Sequence, residues 1–156
     1  MDWSRGAPPL GLVDNTLCPA NEKVYVFLDT VFSQLAKLFP FEYIHVGGDE
    51  LARNFWEKNE QIKELMKREG LKTIPEVQAY FERRVEKIVT AKGKKFMAWD
   101  EVLEGGVSQS AAVMSWRSMK YGIEAAKAGH EVVMSPTQYA YIDYMQADAI
   151  TEPKVY

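Results

Sequence analysis

Between Asn21 and Leu38 the apolar residues Val24, Phe27, Leu28, Val31, Phe32, Leu35 and Leu38 recur every three or four positions, the spacing of a one-sided helix. Asn21 suits an N-cap, and Pro40 stops the helix. Tyr43-Ile44-His45-Val46 comes next, short and rich in strand formers, and runs into Gly47-Gly48. That pattern predicts a strand ending in a sharp turn. A helix is expected over 53–68, with Gly70 as its C′ residue. Another begins at a capping box, Thr73-x-x-Glu76, carries Val77, Phe81, Val85 and Ile88 on one stripe, and ends at Gly93. Further strands are predicted at Lys95–Trp99, Ala111–Trp116 and Glu131–Met134, with a helix from Met119 to Ala128 closed by Gly129.

Strands alternating with helices long enough to cross back over a sheet are the pattern of parallel βαβ units. The stretch from Trp99 to Ala111 is too short for a full crossover helix, so one unit departs from the repeat. Four strands in 156 residues make either a small open α/β sheet or part of a larger barrel, since a closed eight-stranded barrel takes about 250 residues. Length and periodicity alone favour the open sheet.

Charge changes this picture little. With 19 Lys+Arg against 22 Asp+Glu, no basic field exists to attract nucleic acid or an anionic membrane. A neutral sugar polymer or a small molecule suits the chain better. No apolar run of about 18 residues is present to span a membrane. The N-terminal Met1-Asp2-Trp3-Ser4-Arg5 lacks the apolar core of a signal peptide. Cys18 stands alone, which excludes an intrachain disulfide and a cysteine metal cluster, and it reads as a small packed residue.

The chemistry concentrates at His45-Val46-Gly47-Gly48-Asp49-Glu50, where two carboxylates follow a strand directly. Ligands of α/β folds gather at the carboxyl ends of strands. Neighbouring side chains of a regular strand point to opposite faces, so both acids can serve one site only if the backbone turns there. Gly47 and Gly48 allow the unusual φ values such a turn needs. Three readings are open: a solvated acidic pair opening the next helix, a metal site with His45, and a catalytic pair. The metal reading is weakened because the one other histidine is His130 and no H-E-x-x-H pattern exists.

His45-Val46-Gly47-Gly48-Asp49-Glu50, preceded by Leu38-Phe39-Pro40-Phe41-Glu42-Tyr43-Ile44, closely resembles the signature of the family 20 glycoside hydrolases, the β-N-acetylhexosaminidases. Phe96-Met97-Ala98-Trp99-Asp100-Glu101 resembles that family's fifth barrel strand, and Val113-Met114-Ser115-Trp116-Arg117 its sixth. Val132-Val133-Met134-Ser135-Pro136, followed by Tyr141-Ile142-Asp143, is similar to the seventh strand and its loop. The likeness implies a partial (β/α)₈ TIM barrel, strands four to seven with their helices. It makes residues 1–156 one incomplete catalytic domain: a loop over 1–20, a barrel segment over 21–145 and a tail over 146–156. The family's first three strands, with an arginine that grips the sugar, and its last strand with an active-site tryptophan have no counterpart.

The resemblance also implies a mechanism. Most retaining glycosidases place two carboxylates on opposite sides of the sugar, a geometry that adjacent residues serve poorly. In family 20 the substrate's 2-acetamido oxygen is the nucleophile instead. Carried over by position, Glu50 is the acid and later the base, Asp49 holds the acetamido N–H, and Tyr141 donates to the acetamido oxygen. Trp99 and Trp116, at strand ends, become walls of the sugar pocket. Asp143 binds sugar hydroxyls, and His45 is expected to hydrogen-bond and orient a carboxylate, or else to be a satisfied core histidine. Asp100 and Glu101 read as structural or rim residues, and Trp56 and Trp3 as packing or peripheral. The implied partner is a glycan bearing N-acetylhexosamine, with no cofactor, metal, nucleic acid or membrane. Half a barrel is expected to self-associate through its uncovered face, and a sugar-binding module without turnover is the competing class. The family tends to work outside the cytoplasm, as a secreted, periplasmic or lysosomal protein; the residues themselves do not reveal the compartment.

Overall fold

The computed structural model describes residues 16–51 and 53–143. The chain folds as an α/β protein with one four-stranded parallel sheet, its strands lying side by side in chain order. The elements are α1 (Glu22–Leu38), β1 (Tyr43–His45), α2 (Arg53–Lys58), α3 (Glu60–Glu69), α4 (Ile74–Thr90), β2 (Lys95–Trp99), a 3-10 turn (Asp100–Leu103), β3 (Ala112–Ser115), α5 (Met119–Lys127), β4 (Val132–Met134) and α6 (Thr137–Ala140). Every strand pair is parallel, so all strand carboxyl ends lie along one edge.

The helices start where the side chains allow. The Asn21 side chain accepts from Lys23 N at 3.1 Å and caps α1. Thr73 Oγ1 accepts from Glu76 N at 3.4 Å, and Glu76 reaches back to the backbone N–H of Lys72 at 2.6 Å. The capping box is therefore present, with its return arm one residue earlier than the standard form. The helix expected over 53–68 is two helices. Asn59 interrupts it by turning its carboxamide onto Gln61 N and Ile62 N, an N-cap in mid-sequence. Gly70 adopts the left-handed conformation expected of a C′ residue, φ 68°. β2 has the expected bounds; the other three strands are shorter by a residue or two, with Val46, Ala111, Trp116 and Glu131 just outside them.

Alternation along the strands divides the sheet. Ile44, Phe96, Ala98 and Val113 face the helices and form the main core with Phe32 of α1, Val85 and Val89 of α4, and Ala125 of α5. Burying each of the larger of these side chains contributes about 1.5–3 kcal/mol relative to exposure. The apolar stripe of α1 is turned from the expected one. Phe27 and Leu38 stay exposed, whereas Tyr25 is buried beneath the Arg84 guanidinium with its hydroxyl donating to Pro19 O. A second cluster, Trp56, Ile62, Leu65 and Val77, packs α2 and α3 against α4. Trp56 is thus a packing residue, its indole N–H donating to Leu17 O. Trp3 lies outside the described residues.

The opposite face of the sheet carries Tyr43, His45, Lys95, Met97, Trp99, Met114 and Val133. All seven are partly or largely exposed and belong to neither core cluster. Between β2 and β3 the chain makes a 3-10 turn where the other connections use α-helices, as the short Trp99–Ala111 gap predicts.

Candidate active site

The sheet's carboxyl edge gathers the residues singled out above. β1 ends at His45, and the next backbone bonds hold the chain straight a little longer: Val46 N donates to Met97 O and Trp99 N donates to Gly47 O, both at 2.9 Å. Then the backbone turns. Gly47 has φ 86° and Gly48 φ 101°, and Glu50 also has a positive φ of 47°. A non-glycine residue in the left-handed region costs about 1–2 kcal/mol, strain that folds tolerate mainly at functional sites. The turn releases Asp49 and Glu50 from strand alternation. Both side chains are exposed, and neither has a hydrogen-bond or ion-pair partner among the described residues.

His45 braces this turn rather than a carboxylate. Its Nδ1 accepts the Gly47 backbone N–H at 3.1 Å, which leaves the ring proton on Nε2. Burial lowers its pKa and the nearby Asp49 carboxylate partly opposes the shift, so the neutral ring is favoured. Neither expectation for His45 holds: the ring bonds the backbone, and it lies on the exposed face of the sheet.

From His45 a row of rings runs across the strand ends. Trp99 meets His45 edge-on at 4.6 Å between centroids, Trp116 meets Trp99 at 6.5 Å, and Tyr141 stacks on Trp116 at 6.5 Å with planes 24° apart. Each ring belongs to the end of a different strand, or to the segment beyond β4. Asp143, half-buried, follows in a turn beside the exposed Ile142.

The second acidic pair is arranged oppositely. Asp100 is fully buried; its Oδ2 accepts from the N–H groups of Trp116 (2.8 Å) and Arg117 (3.2 Å), and its Oδ1 from Arg117 Nε. Glu101 accepts the Trp116 indole N–H at 3.0–3.1 Å, and burial raises its pKa against that bond. Arg117 continues to Glu104 at 2.7 Å, and Glu104 to Arg53 of α2 at 2.9 Å. This chain of charges ties α2, just after Glu50, to the segment that carries Trp116. Sequence reasoning read Asp100 and Glu101 as structural or rim, and the structural role is the one observed. It missed that Glu101 and Arg117 set the Trp116 indole.

A cavity of about 210 Å³ lies beside the turn, lined by Gly48, Asp49, Glu50, Phe32, Trp56, Phe81, Gln78 and Glu82 among others. Gln78 and Glu82 were not singled out in the sequence, where polar residues beside the Val77, Phe81 and Val85 stripe read as solvent-facing; the structure buries both. Among the described residues no three His, Cys, Asp or Glu side chains gather as metal ligands, and no helix is long and apolar enough to cross a membrane.

Exposed carboxylates and a row of aromatic rings lie at the carboxyl ends of parallel strands, the edge at which α/β folds gather ligands. Residues 9–156 match the catalytic domain of glycosyl hydrolase family 20, and the chain belongs to that family. It is similar to a β-hexosaminidase of Porphyromonas gingivalis, 39% identical over 144 residues, which are 92% of this chain and 18% of that protein. A β-hexosaminidase of Vibrio furnissii is 36% identical over 91% of the chain and 23% of its own length. Among solved structures, a chitobiase from Flavobacterium johnsoniae aligns with TM-score 0.75 and 36% identity, over 83% of this chain and 21% of that one. A Vibrio harveyi exo-β-N-acetylglucosaminidase in complex with N-acetylglucosamine aligns with TM-score 0.75 and 34% identity, over 80% and 20%. The chain thus spans about a fifth of the length of the relatives it matches.

Proposed function

We propose that the chain is the central portion of a family 20 catalytic barrel, strands four to seven, and that Asp49 and Glu50 are the working pair of a retaining β-N-acetylhexosaminidase. The observation that carries this reading is the turn at Gly47-Gly48, which frees two carboxylates that have no partner among the described residues, at the end of the strand whose His45 ring begins the aromatic row of Trp99, Trp116 and Tyr141. The short share of its relatives that the chain spans, and the uncovered sheet face, support the partial barrel.

In the first step the substrate's acetamido oxygen bonds to C1 while the C1–O bond to the leaving group breaks. The departing oxygen keeps the electron pair and takes the proton from Glu50. Asp49 accepts the acetamido N–H and stabilises the positive charge of the oxazolinium ring. Tyr141 donates to the acetamido oxygen and aligns its attack. In the second step water adds to C1, Glu50 takes its proton, and the ring reopens with the original configuration. Trp99 and Trp116 wall the pocket, Asp143 binds sugar hydroxyls, and His45 holds the turn. The reaction uses no metal or cofactor, and its substrates are glycans ending in N-acetylglucosamine or N-acetylgalactosamine.

Among the described residues the sheet ends in β1 and β4 and leaves a face carrying Met97, Trp99, Met114 and Val133 without a covering helix, so the chain alone is expected to self-associate and to hydrolyse little or none of a chromogenic N-acetyl-β-glucosaminide. Light scattering and a hydrolysis assay check both. Turnover by the isolated chain at the rate of the longer natural polypeptide, abolished by Glu50→Gln, contradicts the partial-barrel reading and leaves the catalytic pair standing. Sugar binding without turnover in the longer polypeptide contradicts the enzyme itself.

A further inference from the structure

Beneath the turn, α4 presents two polar side chains where a helix packed on a sheet ordinarily presents apolar ones. Gln78 and Glu82 are one helical turn apart, 8% and 4% exposed, beside the buried Val77 and Val85. A carboxamide nitrogen has two hydrogens. That of Gln78 gives one to Gly48 O at 2.8 Å and the other to Glu82 Oε1 at 2.9 Å. The Gly48 carbonyl is the last backbone group before Asp49. Glu82 also fills the space below Gly48, since a Cβ there would lie 2.9 Å from Glu82 Oε1.

We propose that Gln78 and Glu82 are positioning residues for the Asp49–Glu50 pair: Gln78 clamps the Gly48 carbonyl, Glu82 holds the clamp and supports Gly48, and together they fix the direction in which the two carboxylates leave β1. This inference rests on Asp49 and Glu50 being the working pair. The mechanical logic is that α4 is anchored by Val77, Val85 and Val89, all buried, whereas the turn is strained and its acids are unpaired. A rigid element therefore holds the segment that must keep two carboxylates within tight tolerance.

The clamp also responds to pH. Glu82 Oε2 is buried with no hydrogen-bond partner, and burial pushes the carboxyl up to about 7. The groups that face it are Arg83 of its own helix, Glu101 of the 3-10 turn, and Asp49 and Glu50 of the loop lining the same cavity; α1 presents Leu28 and Phe32, and α2 presents Trp56. Acids outnumber bases around it, so ionisation puts an unfavourable charge directly beneath Gly48.

The test uses the full natural polypeptide with Gln78→Leu and Glu82→Gln, assayed with a chromogenic N-acetyl-β-glucosaminide and by amide hydrogen exchange. Gln78→Leu is expected to lower kcat about tenfold with KM within about twofold, the effect of one net hydrogen bond spent on orientation. It also speeds exchange at Asp49 and Glu50 while the Val89 amide inside α4 keeps its protection. Glu82→Gln moves the alkaline limb of the kcat profile to higher pH. Unchanged kcat and loop exchange in Gln78→Leu, or an alkaline limb that stays in place in Glu82→Gln, overturn the proposal. Equal acceleration of exchange at Val89 also overturns it, because the residue is then merely structural. If Glu50→Gln leaves hydrolysis intact, the hydrolase reading fails, and the clamp is still judged by exchange at the loop.

Discussion

The chain contains the dipeptide Asp-Glu at two strand ends, and the two copies have opposite surroundings. Asp49-Glu50 follows β1 through two glycines and stands exposed with no hydrogen-bond or ion-pair partner among the described residues. Asp100-Glu101 follows β2 without a glycine, curls at once into a 3-10 turn, and is engaged by Arg117, the Trp116 indole and two backbone N–H groups. Residue type and strand-end location are the same, so neither decides the role. What decides it is the backbone path after the strand and the presence of a cation within reach. A carboxylate that accepts from the protein's own donors holds structure; one left unpaired is available to a ligand.

The contrast can be broken most severely at Asp100. Asp100→Ala removes the acceptor of Arg117 Nε and of two backbone N–H groups while Arg117 keeps Glu104, and should cost about 3–5 kcal/mol, read as a lower urea midpoint. Next comes Glu82→Gln, on the order of 3 kcal/mol at its largest. The carboxyl of Glu82 sits near 7 in the folded chain and in the ordinary carboxylate range when unfolded. Between those values the folded state binds the extra proton, so the wild type loses stability as pH rises through that window. Below the window the variant gains nothing, and above pH 7 it should be the more stable of the two; urea melts at pH 4 and pH 8 check the sign. Gly48→Ala is smaller, roughly 1–3 kcal/mol, because φ 101° strains any Cβ and Glu82 must give way. Glu101→Gln should cost about 1 kcal/mol, since the Trp116 indole keeps a weaker acceptor, and indole-side-chain NMR would report it.

Much of this contrast was legible in the sequence. Helical period placed α1 and α4, Gly129 marked the end of α5, the glycine pair marked the turn, and Trp99 and Trp116 stood at strand ends. The misses have physical causes. The helix over 53–68 breaks because Asn59 satisfies the donors of the following turn better than a continued helix would, which periodicity does not register. Phe27 and Leu38 kept the apolar period yet lie exposed, because α1 is rotated to bury Tyr25, an aromatic with a polar tip that finds Pro19 O. Gln78 and Glu82 escaped because polar residues on a helix read as solvent-facing until their partners, Gly48 and each other, are known. His45 was expected to serve a carboxylate; its nearest donor was the backbone of its own turn, a choice set by local chain path.

The central claim is that Glu50 is chemically active and Glu101 structural. The direct measurement is hydrolysis of a chromogenic N-acetyl-β-glucosaminide by the full natural polypeptide carrying Glu50→Gln, set beside its urea midpoint. The expected result is a kcat lower by about a thousandfold or more, with stability within about 0.5 kcal/mol of wild type. Retained turnover, or a loss of turnover accompanied by unfolding, would contradict the assignment of the two pairs.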